Sequence, residues 1–415
     1  MTQDLYITES LTAYLSLTSE QARRLQELGR KLTSQSQRQI DQDDAASTRT
    51  AIECVTSDGS TWKVRVANAI GVIGLPEARL VVQPKIPFAH LAYLLRAGVP
   101  TPRLAQGPIK QASSENFWEL LASWFLGSLE ALLNSGLSST YVPACDDLAH
   151  VRGRIDPMTS AMSFARGRLS MTCEYEEFSV DTPLNRVLRA AARLVARSRV
   201  LPAKLRSRAR RALIHLDGVS ELRRDDLRIT LNRDTSRYGS AIANAHMIIK
   251  GHGMALESGT LAGSTFLLPT PDAIEDAMRQ RVRHVLAAET TVVKGRRSLA
   301  GTSLTINPDL VMKDIAIGDV KYKIWDGTWK RPDLYQLTAF ATGYRITQAL
   351  HIGFTRSNRT TDDLTVGSVS IRSVLWLASP EITPEHADEI FQNETRTWWN
   401  SVMEFAELEA RSQDS

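Results

Sequence analysis

The stretch from Ile306 to Lys323 constrains this chain more than any other. Two apolar, β-prone runs, Ile306-Asn307-Pro308-Asp309-Leu310-Val311-Met312 and Ile315-Ala316-Ile317-Gly318-Asp319-Val320-Lys321-Tyr322-Lys323, flank a short Lys313-Asp314 turn. Asp309, Asp319 and Lys321 stand inside these runs, where a charge is costly unless it is paired or bound to a metal. Side chains alternate across a strand, so Asp319 and Lys321 share a face, and Asp309 on the partner strand can reach it. Two carboxylates and an ammonium are therefore expected to converge.

Such a set suits phosphodiester hydrolysis. Hard carboxylate oxygens hold Mg2+, which polarises the phosphate, while the ammonium stabilises charge or orients the attacking water. Pro-Asp followed by Asp-x-Lys is the signature of the PD-(D/E)xK nucleases. So short a pattern also fits an ordinary strand pair with solvated edge charges, and the rest of the chain has to decide.

The 415 residues, 43% hydrophobic and 23% charged, suffice for two or three domains with proper cores. No apolar run approaches a membrane span, and Met-Thr-Gln-Asp-Leu-Tyr at the start lacks a basic-then-apolar signal region. A cytoplasmic protein without membrane association is expected. Cys54, Cys145 and Cys173 have no Cys-x-x-Cys spacing, so they read as buried small hydrophobes rather than a disulfide framework or zinc site. A net charge of +4 settles nothing about nucleic acid, so the distribution of charge matters more.

Along the chain, Thr18-Ser19-Glu20-Gln21 matches a capping box, and Ala22, Leu25, Leu28 and Leu32 follow at helical spacing. Thr33 to Ser47 reads as a linker. Ile52 and Cys54, an Asp58-Gly59 turn, then Trp62, Val64 and Val66 read as a hairpin, followed by strands at Ile70–Leu75 and Arg79–Gln83 and a helix near Leu91–Leu95. Residues 1–110 are thus expected to form a β-rich domain. Residues 111–260 read as mainly helical, led by Ser114–Asn134. Arg186, Arg189, Arg193 and Arg197 recur on one helical face in a segment, Thr182–Arg211, that holds no Asp or Glu. That face is either solvated or tracks a DNA phosphate backbone.

Residues 261–415 read as a third domain. A helix from Asp272 to Ala288 carries Glu275, the two charged strands follow, and a helix from about Asp333 to Tyr344 precedes strands at Ala349–Phe354 and Val369–Leu377. This order predicts a mixed α/β fold, with a mixed sheet flanked by helices. Thr383-Pro384-Glu385 opens a final helix bearing Trp398 and Trp399. The chain has no Gly-x-x-x-x-Gly-Lys-Ser/Thr loop, so it does not read as an NTPase.

Taken together, these segments resemble the McrC family, the nuclease subunits of McrBC modification-dependent restriction systems. The resemblance rests on Phe266-Leu267-Leu268, Ile274-Glu275, Pro308-Asp309, Asp319-Val320-Lys321-Tyr322-Lys323 and Asp333-Leu334-Tyr335-Gln336. Upstream it adds Leu80-Val81-Val82-Gln83-Pro84-Lys85-Ile86, Val151-Arg152-Gly153-Arg154, and Asp181 with Asn185 and Arg186. It implies a C-terminal PD-(D/E)xK, restriction-endonuclease-like domain in which Asp309 and Asp319 bind Mg2+, Lys321 is the catalytic lysine and Glu275 completes the metal shell. Gln336 falls in a Gln-x-x-x-Tyr element whose last position is here Phe340, so the tyrosine hydroxyl is lost. Glu275 and Gln336 also fit plain solvated or capping residues.

The resemblance further implies an AAA+ GTPase partner of the McrB type, with the N-terminal domain docking that partner and the C-terminal domain cutting modified double-stranded DNA. Two other readings fit the same residues. One is a stand-alone repair or recombination nuclease. The other is a non-cutting adaptor that binds DNA and stimulates its partner, against which the intact Asp309, Asp319 and Lys321 argue.

Overall fold

The computed structural model describes residues 3–38, 51–58, 61–97, 117–253, 265–299, 301, 304–357 and 363–413. Most of the expected linker, Gly59 of the expected turn, the start of the helix expected at Ser114 and the expected boundaries near 110 and 260 lie outside these residues. The described residues form two compact units. One draws on Met1–Pro100, Gln106–Leu120 and Lys250–Ser415, the other on Leu121–Ile249. This differs from three consecutive domains, because the N-terminal and C-terminal stretches share one unit.

The N-terminal stretch comprises β1 (Gln3–Thr8), β2 (Thr12–Ser16), α1 (Ser19–Arg38), β3 (Ala51–Thr56), β4 (Thr61–Ala67), β5 (Ala69–Leu75), β6 (Ala78–Gln83) and α2 (Phe88–Ala97). The capping box forms: Thr18 N–H donates to Gln21 Oε1 at 3.0 Å, and Gln21 N–H to Thr18 Oγ1 at 3.2 Å. Leu25, Leu28 and Leu32 of α1 then pack with Ile52, Val64, Val66, Ile73 and Leu80 in one core. Helix α1 runs past Thr33, where the linker was expected to begin. Strands β1 and β2, unmarked in the sequence reading, join two sheets, ordered β2-β4-β3 and β1-β6-β5.

The second unit holds most of α3 (Phe117–Asn134), then β7 (Thr140–Leu148), β8 (Arg154–Ile155), α4 (Pro157–Ala165), β9 (Met171–Ser179), α5 (Pro183–Arg197), α6 (Ala203–His215) and much of α7 (Gly239–Gly253). The unit is mainly helical, as expected, and the sheet β7-β9-β8 is an addition that the sequence did not mark. Strands β7 and β9 pair over their full length, yet much of β9 is exposed and Asp146, Asp147, Glu174, Glu176 and Glu177 interrupt any apolar alternation. A strand without a buried face leaves no period-two signal. Cys145 of β7 is exposed, correcting its reading as a buried residue, whereas Cys54 and Cys173 are buried and all three are free thiols. Gly153 has φ +70°, and a Cβ there would meet the Glu174 carbonyl oxygen at 2.3 Å, so only glycine suits this turn.

The remainder of the first unit runs through β10 (Phe266–Pro269), α8 (Thr270–Val285), β11 (Val292–Val293), β12 (Arg297–Ser298), β13 (Thr305–Ile306), β14 (Leu310–Met312), β15 (Ala316–Ile324), α9 (Arg331–Tyr344), β16 (Gln348–Thr355), β17 (Leu364–Val366), β18 (Val369–Leu377) and α10 (Pro384–Gln413). A six-stranded sheet has the order β11-β14-β15-β16-β18-β17. Its centre β15-β16-β18 is parallel, while β14 and β17 pair antiparallel. The expected mixed α/β architecture is thus observed. Leu337, Phe340 and Ala341 of α9 pack on Ile317, Ala349 and Ile371 of the sheet. Phe340, standing where a tyrosine was expected, is core.

Phe266-Leu267-Leu268 does not join the sheet of the charged strands. Strand β10 pairs with β5, opposite Gly71, where a Cβ would meet the Phe266 carbonyl oxygen at 2.0 Å. Among the described residues, no helix is long and apolar enough to cross a membrane.

Candidate active site

The hairpin forms as the sequence indicated. Leu310 pairs with Gly318 and Met312 with Ala316, and the turn residues Lys313 and Asp314 take φ of 42° and 58°. Such values suit the tight reversal between twisted strands. Asp309 is the residue before β14. It is 6% exposed, and its Oδ2 accepts the Val320 N–H at 2.9 Å. Asp319 on β15 is 3% exposed. Lys321 Nζ lies 2.6 Å from Asp319 Oδ2 and donates to Gln336 Oε1 of α9 at 2.8 Å. Asp309, Asp319, Lys321 and Gln336 are therefore brought together.

Electrostatics extends this cluster to Glu275 on α8. Burial, then the nearby Asp309 charge, push the Glu275 carboxyl up to about 8. Burial pushes Asp319 up to about 7, with Lys321 opposing the rise and Asp309 adding to it. Burial alone would lower the Lys321 ammonium, but Asp319 and Asp309 hold it above its ordinary value. These shifts have one cause, negative charge gathered in a place with little water and too little positive charge.

That deficit is what an oxygen-preferring divalent cation would relieve. Asp319 Oδ2 is buried and accepts no aligned hydrogen bond, its contact with Lys321 being an ion pair. Among the described residues, however, no three His, Cys, Asp or Glu side chains are grouped to hold a metal ion. Asp309 and Asp319 thus fit the Mg2+ habit of taking one or two carboxylates and filling its remaining positions with water and phosphate oxygens. Glu275 senses both charges without standing as a ready third ligand.

Several neighbours escaped the sequence reading. Arg279, buried on α8, donates from Nε to the Asp309 carbonyl oxygen at 2.6 Å and fixes the backbone that presents the carboxylate. Its place four residues after Glu275, on the same helical face, was the available signal. Lys323 Nζ pairs with the buried Asp333 at 3.0 Å. His351 is level with Asp319 on β16, its Nδ1 2.8 Å from Ser373 Oγ and its ring 5.5 Å from Trp325 and 5.2 Å from Trp329. Burial lowers His351 to about 4. Nothing in the local sequence marks it.

The arginine face of α5 needs correction. Arg186 is 5% exposed and meets Asp226 through two hydrogen bonds of 2.9 Å, with Asp181 Oδ1 at 3.2 Å. A side chain so enclosed cannot reach a phosphate. Arg189 pairs with Glu221 at 3.0 Å, and Arg193 pairs with the same carboxylate. The strip looked unneutralised because its counter-charges lie outside it in sequence, Asp181 just before Thr182 and Glu221 and Asp226 beyond Arg211. Arg197 is exposed at the end of α5, and a break at Ser198–Pro202 separates it from α6. Asn185 donates to the Ser138 and Val180 carbonyls and accepts from the Tyr238 hydroxyl. Asp181, Asn185 and Arg186 thus hold the second unit together.

A family model of McrBC 5-methylcytosine restriction system components matches residues 64–352. One similar solved structure is a chain from the tetradecameric assembly of Thermococcus gammatolerans McrB AAA+ hexamers with bound McrC. It is 15% identical, with a TM-score of 0.56 over 95% of this chain and 100% of that one. Another, from the cryo-EM structure of the Thermococcus gammatolerans McrBC complex, is 16% identical with a TM-score of 0.45 over 68% of this chain and 88% of that one. No match is found among curated proteins. The matched segment spans more than half of the chain and contains Lys85, Glu275, Asp309, Asp319, Lys321 and Gln336. The chain belongs to the family of McrBC 5-methylcytosine restriction system components.

Proposed function

We propose that this chain is the cutting subunit of a McrBC-type restriction complex, a PD-(D/E)xK endonuclease that hydrolyses modified double-stranded DNA with Mg2+ and an AAA+ GTPase partner of the McrB type. The observation that carries the reading is the convergence of Asp309, Asp319 and Lys321, with Gln336 holding the lysine. Family membership supports the restriction role. The partner is supported by the likeness to a chain solved with McrB hexamers, and by the lack of a phosphate-binding loop here.

Asp309 and Asp319 would hold the cation, which when bound supplies Lewis-acid polarisation of the scissile phosphate and lowers the pKa of its water. Arg279 and the Val320 N–H keep Asp309 in place. Lys321 presents its ammonium beside the carboxylates, where it orients the attacking water or meets charge developing on phosphate oxygen. Gln336 keeps that ammonium from collapsing wholly onto Asp319.

The test mixes the full-length chain with its AAA+ partner, GTP, Mg2+ and methylated or unmethylated DNA. Cutting should require partner, GTP and methylation, and should vanish in Lys321→Ala. Efficient GTP-independent cutting by the isolated chain would favour a stand-alone nuclease. Unchanged cutting in Lys321→Ala would remove the assigned site.

A further inference from the structure

Strand β15 is irregular where it carries its lysines. Val320 is level with Ile352 of β16, and the next paired residue, Ile324, is level with Phe354, so Lys321, Tyr322 and Lys323 lie opposite a single residue of the partner. A bulge of this kind takes backbone groups out of the ladder, and each buried one needs another partner. The Tyr322 carbonyl oxygen accepts from Lys85 Nζ at 3.3 Å. Lys85 lies in the turn after β6, and its Nζ also stands 4.7 Å from the Tyr322 ring centroid. Its counter-charge is Glu9, fully buried just after β1, at 4.0 Å. Glu9 accepts from the Thr270 hydroxyl as well.

The flanking lysines are anchored on the other face, Lys321 to Gln336 and Lys323 to Asp333. Tyr322, between them in the strand, turns to the opposite side. The bulge is therefore held from both faces, by α9 and by the β6–α2 turn. Burial lowers the Lys85 ammonium and raises the Glu9 carboxyl. A buried pair of this sort is commonly replaceable by apolar side chains without loss of stability. Stability alone gives no reason to keep it behind this bulge.

We propose that Lys85 is a positioning residue for Lys321: by holding the Tyr322 carbonyl it sets the β15 bulge from which Lys321 reaches the carboxylates, and Glu9 balances its charge. This rests on the reading of Lys321 as the catalytic lysine. It places a lysine from the N-terminal stretch behind the reacting strand, so the first hundred residues help to shape the site.

The experiment uses the full-length chain with its AAA+ partner. Replacing Lys85 by Met together with Glu9 by Gln removes both buried charges at once. Melting temperature and DNA affinity should stay near wild type, the cleavage rate at saturating DNA should fall tenfold or more, and amide hydrogen exchange across residues 320–324 should speed up. Lys85→Arg, which keeps a charged donor, should recover the rate to within about threefold. Should the double variant not fold, Lys85→Gln, too short to reach the carbonyl, is read the same way. Wild-type rate and exchange in a folded variant lacking the contact would overturn the proposal. A Lys321→Ala control separates the two readings: if that variant still cuts, the catalytic assignment fails, while exchange at 320–324 still decides whether Lys85 holds the bulge.

Discussion

Asp309 accepts the backbone N–H of Val320, the residue after Asp319, through Oδ2 at 2.9 Å. One carboxylate is thereby tied to the strand that carries the other, and their separation is set by the backbone. Asn at position 309 can keep this hydrogen bond through its side-chain oxygen while losing the charge. Asp309→Asn and Asp319→Asn should therefore fold, by circular dichroism, yet cut at least a hundredfold more slowly, about 2.7 kcal/mol of barrier. Cutting at wild-type rate in either variant would remove that residue from the site.

Gln336 is the acceptor that shares Lys321 with Asp319. Gln336→Leu leaves the ammonium to its carboxylate alone. Hydrogen bonds to charged groups are worth about 1.5–3 kcal/mol, so a rate loss of roughly tenfold to a hundredfold is expected, with DNA affinity unchanged. A variant that loses affinity instead of rate would make Gln336 a DNA contact rather than a support for the lysine.

His351 makes the sheet sensitive to acid. Its folded-state value is about 4 against an ordinary 6.5, so at intermediate pH the unfolded chain binds a proton that the folded chain refuses. The stability it contributes is complete above the ordinary value and is lost as pH falls through the folded one, on the order of 3 kcal/mol. His351→Gln keeps a hydrogen-bonding side chain and does not titrate. Melting temperatures from pH 7 to pH 4 should fall more steeply for the wild type than for this variant, and parallel curves would contradict the account.

Arg186 is structural. Removing one partner of a buried ion pair costs about 3–5 kcal/mol, so Arg186→Met should lower the melting temperature sharply. Exposed Arg197 is the member of the strip still placed to meet a phosphate. If it does, Arg197→Gln should flatten the salt dependence of DNA binding by about one unit of slope for every sequence alike. An unchanged slope would return the end of α5 to a solvated surface.

Residues 1–110 are not expected to be separable from the rest. Their loss strips β5 from β10 and Lys85 and Glu9 from Tyr322. A chain of residues 111–415 should aggregate or exchange its amides rapidly, rather than persist as an autonomous nuclease. A soluble, cooperatively melting 111–415 fragment that cuts DNA would show the opposite.

The sequence alone determined the hairpin, the order of elements around it, and the convergence of Asp309, Asp319 and Lys321. Alternation along a strand and a two-residue spacing are local rules, so residue types and intervals suffice to apply them. It also determined the helix at Ala22–Leu32, where a capping box and a three-to-four-residue rhythm agree. Only the tertiary structure decided that β10 serves the N-terminal sheet, that Glu221 and Asp226 neutralise arginines dozens of residues away, and that Lys85 and His351 stand around the strand that carries Asp319 and Lys321. Those relationships join segments whose separation along the chain leaves no periodic trace. They arise because buried carbonyls and charges must find partners wherever packing brings them together.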